Sequence, residues 1–212
     1  MFGLLYKDFF SAKKELLISL VVMVLFVIYN LVLGQVELLG PTIGVLVSLG
    51  SMMPTYSLYY DKTCGWNKFI CASPISRTKV ILSKYLAGMI SLAIFAGIIV
   101  LNNLAAGSPM SSWIVLLLIL VMLFIQSVML PVSLKLGQNV VVVVFLLMVF
   151  LPTGLLFALN KAGIWSDEAI SAAFDFVQNN AALLAPIGII GILVLYACSF
   201  FLTNYLYKHM EF

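Results

Sequence analysis

Apolar residues gather in six long runs, and charged residues fall in the gaps between them or at the chain ends. The runs are Leu16–Leu33, Leu38–Tyr60, Tyr85–Leu101, Trp113–Leu134, Val140–Leu159 and Leu183–Leu206. Each is close to the roughly 20 residues that a helix needs to cross a bilayer. The stretch Val140–Val144 is β-branched and would suggest a strand in water. In lipid a lone strand leaves its backbone unsatisfied, so the pattern predicts helix there too. The expectation is an all-α polytopic membrane protein: one transmembrane domain over residues 1–212 with six membrane-spanning helices.

The gaps carry the charge, and the basic residues sort almost entirely to one side. Lys7, Lys13 and Lys14 precede the first run. Lys62, Lys68, Arg77, Lys79 and Lys84 lie between the second and third. Lys135 lies between the fourth and fifth, and Lys208 follows the sixth, which leaves Lys161 alone on the other side. Basic residues concentrate in cytoplasmic loops. The bias therefore predicts cytoplasmic N and C termini in a bacterial cell membrane.

Three gaps have internal structure. Residues 2–15 read as an interfacial helix, with Phe2, Leu5, Tyr6, Phe9 and Phe10 on one face and Lys7, Asp8, Ser11, Lys14 and Glu15 on the other. The bland alternative is an extension of the first span. Residues 61–84 form the longest cytoplasmic loop. In it Trp66, Phe69 and Ile70 recur at helical spacing, Gly65 precedes them, and Pro74 ends the helix because proline cannot continue one. A short amphipathic helix held between two spans is a docking surface by shape; membrane anchoring by Trp66 and Phe69 is the alternative. Residues 160–182 form the one long outer connection. There Ser-Asp-Glu at 166–168 and then Ile170, Ala173, Phe174 and Val177 predict a short amphipathic helix or a capped surface loop.

Composition narrows the classes. A mean hydropathy of +1.18 leaves too little polar surface for a water-soluble domain. The net charge of +3 follows from topology and implies no nucleic-acid partner. Cys64, Cys71 and Cys198 are odd in number and read as ordinary thiols, and the single His209 is too little for a metal site. No ionisable residue lies centrally in the first five spans, nor in the sixth before its cytoplasmic end, which argues against an ion-coupled carrier. The chain has no P-loop, H-E-x-x-H or G-x-S-x-G motif. It reads as a non-enzyme with no catalytic residue, no metal and no cofactor of its own. Gln126, within the fourth span, reads as an interhelical hydrogen bond.

Several spans carry packing and bending signals. Gly40, Gly44 and Ser48 run at i, i+4, i+8 on the second, and Pro54 interrupts that span next to Met52 and Met53. Pro152 and Gly154 interrupt the fifth, and Pro186, Gly188 and Gly191 lie early in the sixth. Small residues let helices approach closely, while methionines form either adaptable walls or core filler.

The opening Leu4-Leu5-Tyr6-Lys7-Asp8-Phe9 resembles the start of bacterial ABC-2 type transporter permeases. So does the series Gly65-Trp66, Ser73-Pro74-Ile75-Ser76-Arg77 and Ser83-Lys84-Tyr85 in the loop between spans two and three. The small members most similar to this chain include permeases of phenol-soluble-modulin exporters; others serve bacteriocin immunity. The resemblance implies a type V exporter-like half-transporter. Two permeases, identical or paralogous, would pair with two copies of a separate ATPase that binds ATP and Mg²⁺. It implies a coupling helix at Trp66, Asn67, Lys68, Phe69 and Ile70. It also implies that spans two and five border the pathway, which turns attention to Gly40, Gly44, Met52, Met53, Pro54, Pro152 and Gly154. The implied cargo is an amphipathic or hydrophobic peptide taken from the bilayer. The competing reading is a non-transporting immunity or scaffold protein that binds a toxin peptide.

Overall fold

Apolar runs of this length fold as helices because every backbone polar group is then satisfied within its own segment. The computed structural model of the chain, which describes residues 2–33, 39–73, 75–105, 112–161, 176 and 179–210, contains eight of them. They are α1 (Phe2–Ser11), α2 (Lys13–Leu33), α3 (Leu39–Thr63), α4 (Trp66–Ala72), α5 (Arg77–Ala105), α6 (Ser112–Leu136), α7 (Gln138–Lys161) and α8 (Ala181–Lys208). Among the described residues, three stretches are long and apolar enough to cross a membrane: Arg77–Leu101, Trp113–Leu136 and Ala182–Lys208. The predicted amphipathic helix around Ile170, Ala173 and Phe174 lies outside the described residues.

Two boundaries differ from the sequence reading. The N-terminal helix ends at Ser11 rather than Glu15, a turn at Ala12 separates it from α2, and α1 packs on α3 and α5. It is therefore a separate element and not an extension of the first span. Pro54, in turn, does not interrupt its helix, since α3 runs unbroken to Thr63. A proline in a span costs one backbone bond and is tolerated within a packed bundle. Beside it, the Thr55 hydroxyl donates back to the Met52 carbonyl of its own helix at 2.6 Å.

Helix α6 is the axis of the bundle, in contact with α3, α5, α7 and α8. Two apolar clusters fill it. One joins Met23, Met52, Phe95, Met122, Met129 and Val141 across five helices. The other, at the end that carries α4, joins Leu58, Ile70, Ile81, Tyr85, Leu134 and Tyr207. Outward faces are equally apolar. Leu17, Val21, Val24, Leu25 and Ile28 line the exposed side of α2, and Ile187, Ile190, Leu193 and Val194 that of α8. Such faces suit lipid.

Helix contacts inside the bundle use hydroxyls and small residues. The Tyr85 hydroxyl meets Ser199 Oγ at 2.7 Å and Thr203 Oγ1 at 2.8 Å, and the Tyr196 hydroxyl donates to the Tyr85 carbonyl at 3.2 Å. Gln126 does not make the interhelical bond expected of it. Its side chain is fully buried, and neither amide atom has a partner among the described residues. The reason is its neighbours: it faces Gly88 of α5, which has no side chain, and the ring of Pro54, which has no N–H. A Cβ at Gly88 would overlap the Gln126 amide and stand 3.2 Å from Pro54 Cγ. Gly88 thus leaves the room that the Gln126 amide fills between α5, α6 and Pro54 of α3. Met52 and Met53, together with Pro54, are buried within the chain rather than lining an open surface of it. The surroundings of Gly40, Gly44, Pro152 and Gly154 fall outside the described residues.

Overpacking a tight crossing costs about 1–3 kcal/mol. Gly88→Leu is expected to lower stability in detergent by about that amount. Gly97→Leu on the same helix, where a Cβ meets nothing within 4 Å, should leave it unchanged. Thermal unfolding of the two purified variants checks this, and equal midpoints would refute the crossing.

Candidate functional site

The ends of four helices and all of α1 and α4 converge where the basic residues were expected to collect. Charge is what draws α1 in. Asp8 lies on its polar face and is only 1% exposed. The Lys84 ammonium of α5 donates to Asp8 Oδ1 at 2.5 Å and to Ser57 Oγ at 2.6 Å, and it pairs with Asp61 Oδ2 at 2.5 Å. Ser57 and Ser83 donate to the two Asp8 oxygens at 2.9 and 3.1 Å. Lys7 closes the set, hydrogen-bonded to Asp61 and 3.2 Å from Asp8 Oδ1. Buried Lys84, Asp8 and Asp61 and half-buried Lys7 thus form a cluster of zero net charge, tying α1 to α3 and α5.

Burial alone would push the Asp8 carboxyl up. The Lys84 and Lys7 charges, with hydrogen bonds from Lys84 and Ser57, outweigh it and hold Asp8 below the usual carboxylate range. Burial and the neighbouring Lys84 push the Lys7 ammonium down against the pull of Asp61 and Asp8. The sequence reading set Lys7, Asp8, Ser11, Lys14 and Glu15 on a polar face opposite the aromatics; of these Asp8 is buried and Lys7 half-buried against the protein, while Lys14 is exposed beyond the end of α1. Phe2, Tyr6 and Phe10 point outward. In an interfacial setting aromatic rings are welcome in lipid, whereas charges need partners.

Helix α4 is built by its flanks. Gly65 precedes it with φ +67°, a left-handed conformation that glycine adopts without a Cβ penalty, and so the chain reverses after α3. Ser73 closes it, its N–H and hydroxyl both donating to the Ile70 carbonyl, at 3.2 and 2.8 Å. The five residues singled out here divide into two faces. Ile70 is buried in the apolar cluster, and Asn67 is buried where it accepts from the Tyr207 hydroxyl at 3.2 Å. These two anchor α4 on the bundle. Lys68 and Phe69 point outward, Phe69 being 64% exposed. Trp66 lies between, its ring 5.2 Å from that of Phe69 and 4.6 Å from the Lys7 ammonium, with its indole N–H buried and lacking a partner among the described residues. Around them a hollow of about 370 Å³ is lined by Gly3, Leu4, Trp66, Phe69, Ile75 and Lys79.

Two further basic residues hold this end together. The Lys62 ammonium donates to the Ser133 and Leu134 carbonyls at 3.1 and 2.6 Å, closing the end of α6. Arg77 donates to the Lys208 carbonyl at 2.8 Å, closing the end of α8. Cations suit helix C-termini, where carbonyls lack intrahelical donors. The basic bias is thus partly structural. Sequence reasoning missed the Asp8, Asp61 and Lys84 cluster. Its available signal was an acid inside an otherwise basic end, at positions 8 and 61.

Removing one member of a buried pair costs about 3–5 kcal/mol, because its partner is left uncompensated. Asp8→Ala is expected to lose stability of that order at neutral pH. Asp8→Ala with Lys84→Met, which restores neutrality, should lose less than the sum of the single changes. Because the folded Asp8 is depressed, its contribution is present above the unfolded value of about 3.9 and fades as pH falls through the folded one. Wild type and Asp8→Ala should therefore converge at acid pH. Unfolding curves in detergent across pH test both points; strict additivity or a pH-independent difference would refute them.

No curated protein and no solved structure matches the chain. A family model described as an ABC-2 family transporter protein matches residues 3–208, which takes in α1, the ion cluster, α4 and every long helix. The chain belongs to the ABC-2 transporter family, as a membrane permease.

Proposed function

We propose that this permease is one half of an ATP-driven exporter, with six spans and both termini in the cytoplasm of a bacterial cell. Membership of the family implies an ABC ATPase partner. The observation that carries the docking assignment is the surface at α4. Phe69 stands in the open beside a hollow floored by Leu4 and Trp66, on a helix whose other face is anchored by Asn67 and Ile70. A rigid helix with an unsupported aromatic is suited to entering a cleft, and a neighbouring hollow is suited to receiving a side chain in return. The buried ion cluster supports this face from beneath through Lys7, so force applied to α4 reaches α1, α3 and α5.

Two permeases and two ATPases make the working unit in this reading. ATP and Mg²⁺ bind the ATPase and not this chain. The cargo is an amphipathic or hydrophobic peptide. That choice rests on the resemblance to phenol-soluble-modulin exporters and on spans with no ionisable residue at their centres.

Phe69→Ala is the cleaner test of docking, because Phe69 is exposed and its loss leaves the chain's own core intact. An interface anchor of this kind commonly contributes about 2 kcal/mol or more. Affinity for the partner ABC ATPase should fall by roughly thirtyfold or more, and Trp66→Ala with Phe69→Ala should abolish stimulated ATPase activity. Normal stimulation in the double variant would return α4 to a membrane anchor. Orientation is tested separately. In a chain lacking native cysteines, a cysteine at Ser108 or Ser171 should label from outside intact cells and one at Ser76 should not. The reverse pattern would overturn the topology.

A further inference from the structure

Helices α6 and α8 leave a groove between them on the outside of the bundle, with a cavity volume of about 660 Å³. One wall is a single face of α6, with Phe124, Val128 and Val132 in turn and Lys135 at its end. The other is the Leu195, Cys198 and Leu202 face of α8. The floor is closed, because Ser199 Oγ donates to the Ser127 carbonyl across it. Lys135 is exposed and has no ion pair among the described residues.

The dimensions identify an occupant. From Phe124 to Lys135 is eleven residues, about 17 Å at 1.5 Å per residue. Half the hydrocarbon core of a bilayer is about 15 Å. The groove thus runs from mid-membrane to headgroup depth, spans one leaflet, and ends on an unpaired cation. Its lining is apolar along that length, with Ser127 and Ser199 at the floor and Lys135 at the end, the profile that suits an acyl chain below a charged headgroup.

We propose that this groove is a lipid-binding site, in which an acyl chain of an anionic phospholipid lies between α6 and α8 and its headgroup is held by Lys135. Basic positions between membrane helices attract anionic headgroups. The proposal needs only that the chain lies in a bilayer; it does not depend on the identity of the cargo or on which face is cytoplasmic.

The test uses the full chain in nanodiscs of phosphatidylcholine containing a little phosphatidylglycerol with a photoreactive acyl chain. Irradiation should label residues 124–136 and 195–206. Unlabelled phosphatidylglycerol should compete, and extra phosphatidylcholine should not. Lys135→Gln should weaken the labelling by about fivefold, the factor equivalent to about 1 kcal/mol for one basic residue at an anionic surface. Val128→Trp, which fills the groove from a half-buried position, should remove it while leaving the unfolding midpoint unchanged. Labelling spread equally over the exposed faces of α2 and α7, or unchanged in Lys135→Gln, would overturn the proposal. So would Cys198 disulfides between two copies in a chain carrying Cys64→Ser and Cys71→Ser, which would give the groove to a second permease. Competition by an amphipathic helical peptide but not by phosphatidylglycerol would give it to cargo.

Discussion

One lysine held between two aspartates governs the basic end of this molecule. Lys84 is 1% exposed and reaches both Asp8 and Asp61 at 2.5 Å. Ions taken out of water are costly unless the set is neutral and its hydrogen bonds are filled. Here Lys7, Ser57 and Ser83 add hydrogen bonds to the aspartates, and Asp61 Oδ2 is met by the Lys84 charge. The requirement is demanding in position, since it brings together residues from α1, α3 and α5 that are far apart in the chain. Once met, it fixes the helix before the first span against the helices that lead into and out of α4.

That constraint explains why α1 lies with its charges inward. An amphipathic helix on a soluble protein buries its apolar stripe and solvates its charges. At a membrane surface the same helix has lipid on one side and protein on the other. Phe2, Tyr6 and Phe10 face outward, while Lys7 and Asp8 face the bundle. Lys7 also lies over the Trp66 ring, so the ion cluster and α4 share a residue. Helix α4 is anchored by Asn67 and Ile70 below and braced by α1 at its side.

Deeper in the membrane, ionic contacts give way to fit. Tyr85, Ser199 and Thr203 satisfy one another, and Gly88 lets α5 approach α3 and α6. Without a hydrophobic drive between spans, close packing and hydroxyl bonds are what remain to hold helices together. The buried, unpaired Gln126 amide at that crossing departs from the rule that buried polar groups are bonded.

Much was legible in the chain alone. Apolar length determined where the long helices lie, because a bilayer admits few other backbones. Gly65 and Pro74 marked the limits of the short helix at Trp66–Ala72, because glycine adopts a left-handed φ freely and proline cannot continue a helix. Basic residues gathered at one end of the bundle, in line with their order along the sequence. Tertiary structure alone decided which faces turn inward. Met52 and Met53 could have lined a surface and are buried instead; Gln126 could have bonded and does not. In a soluble protein the contrast between water and core writes each helix's inner face into the sequence as a period of 3.6 residues. In a bilayer, lipid and core are both apolar, so that period fades and only packing assigns the faces. The ion cluster escaped for a related reason: its partners lie 23 and 76 residues from Lys84, and no local pattern links them.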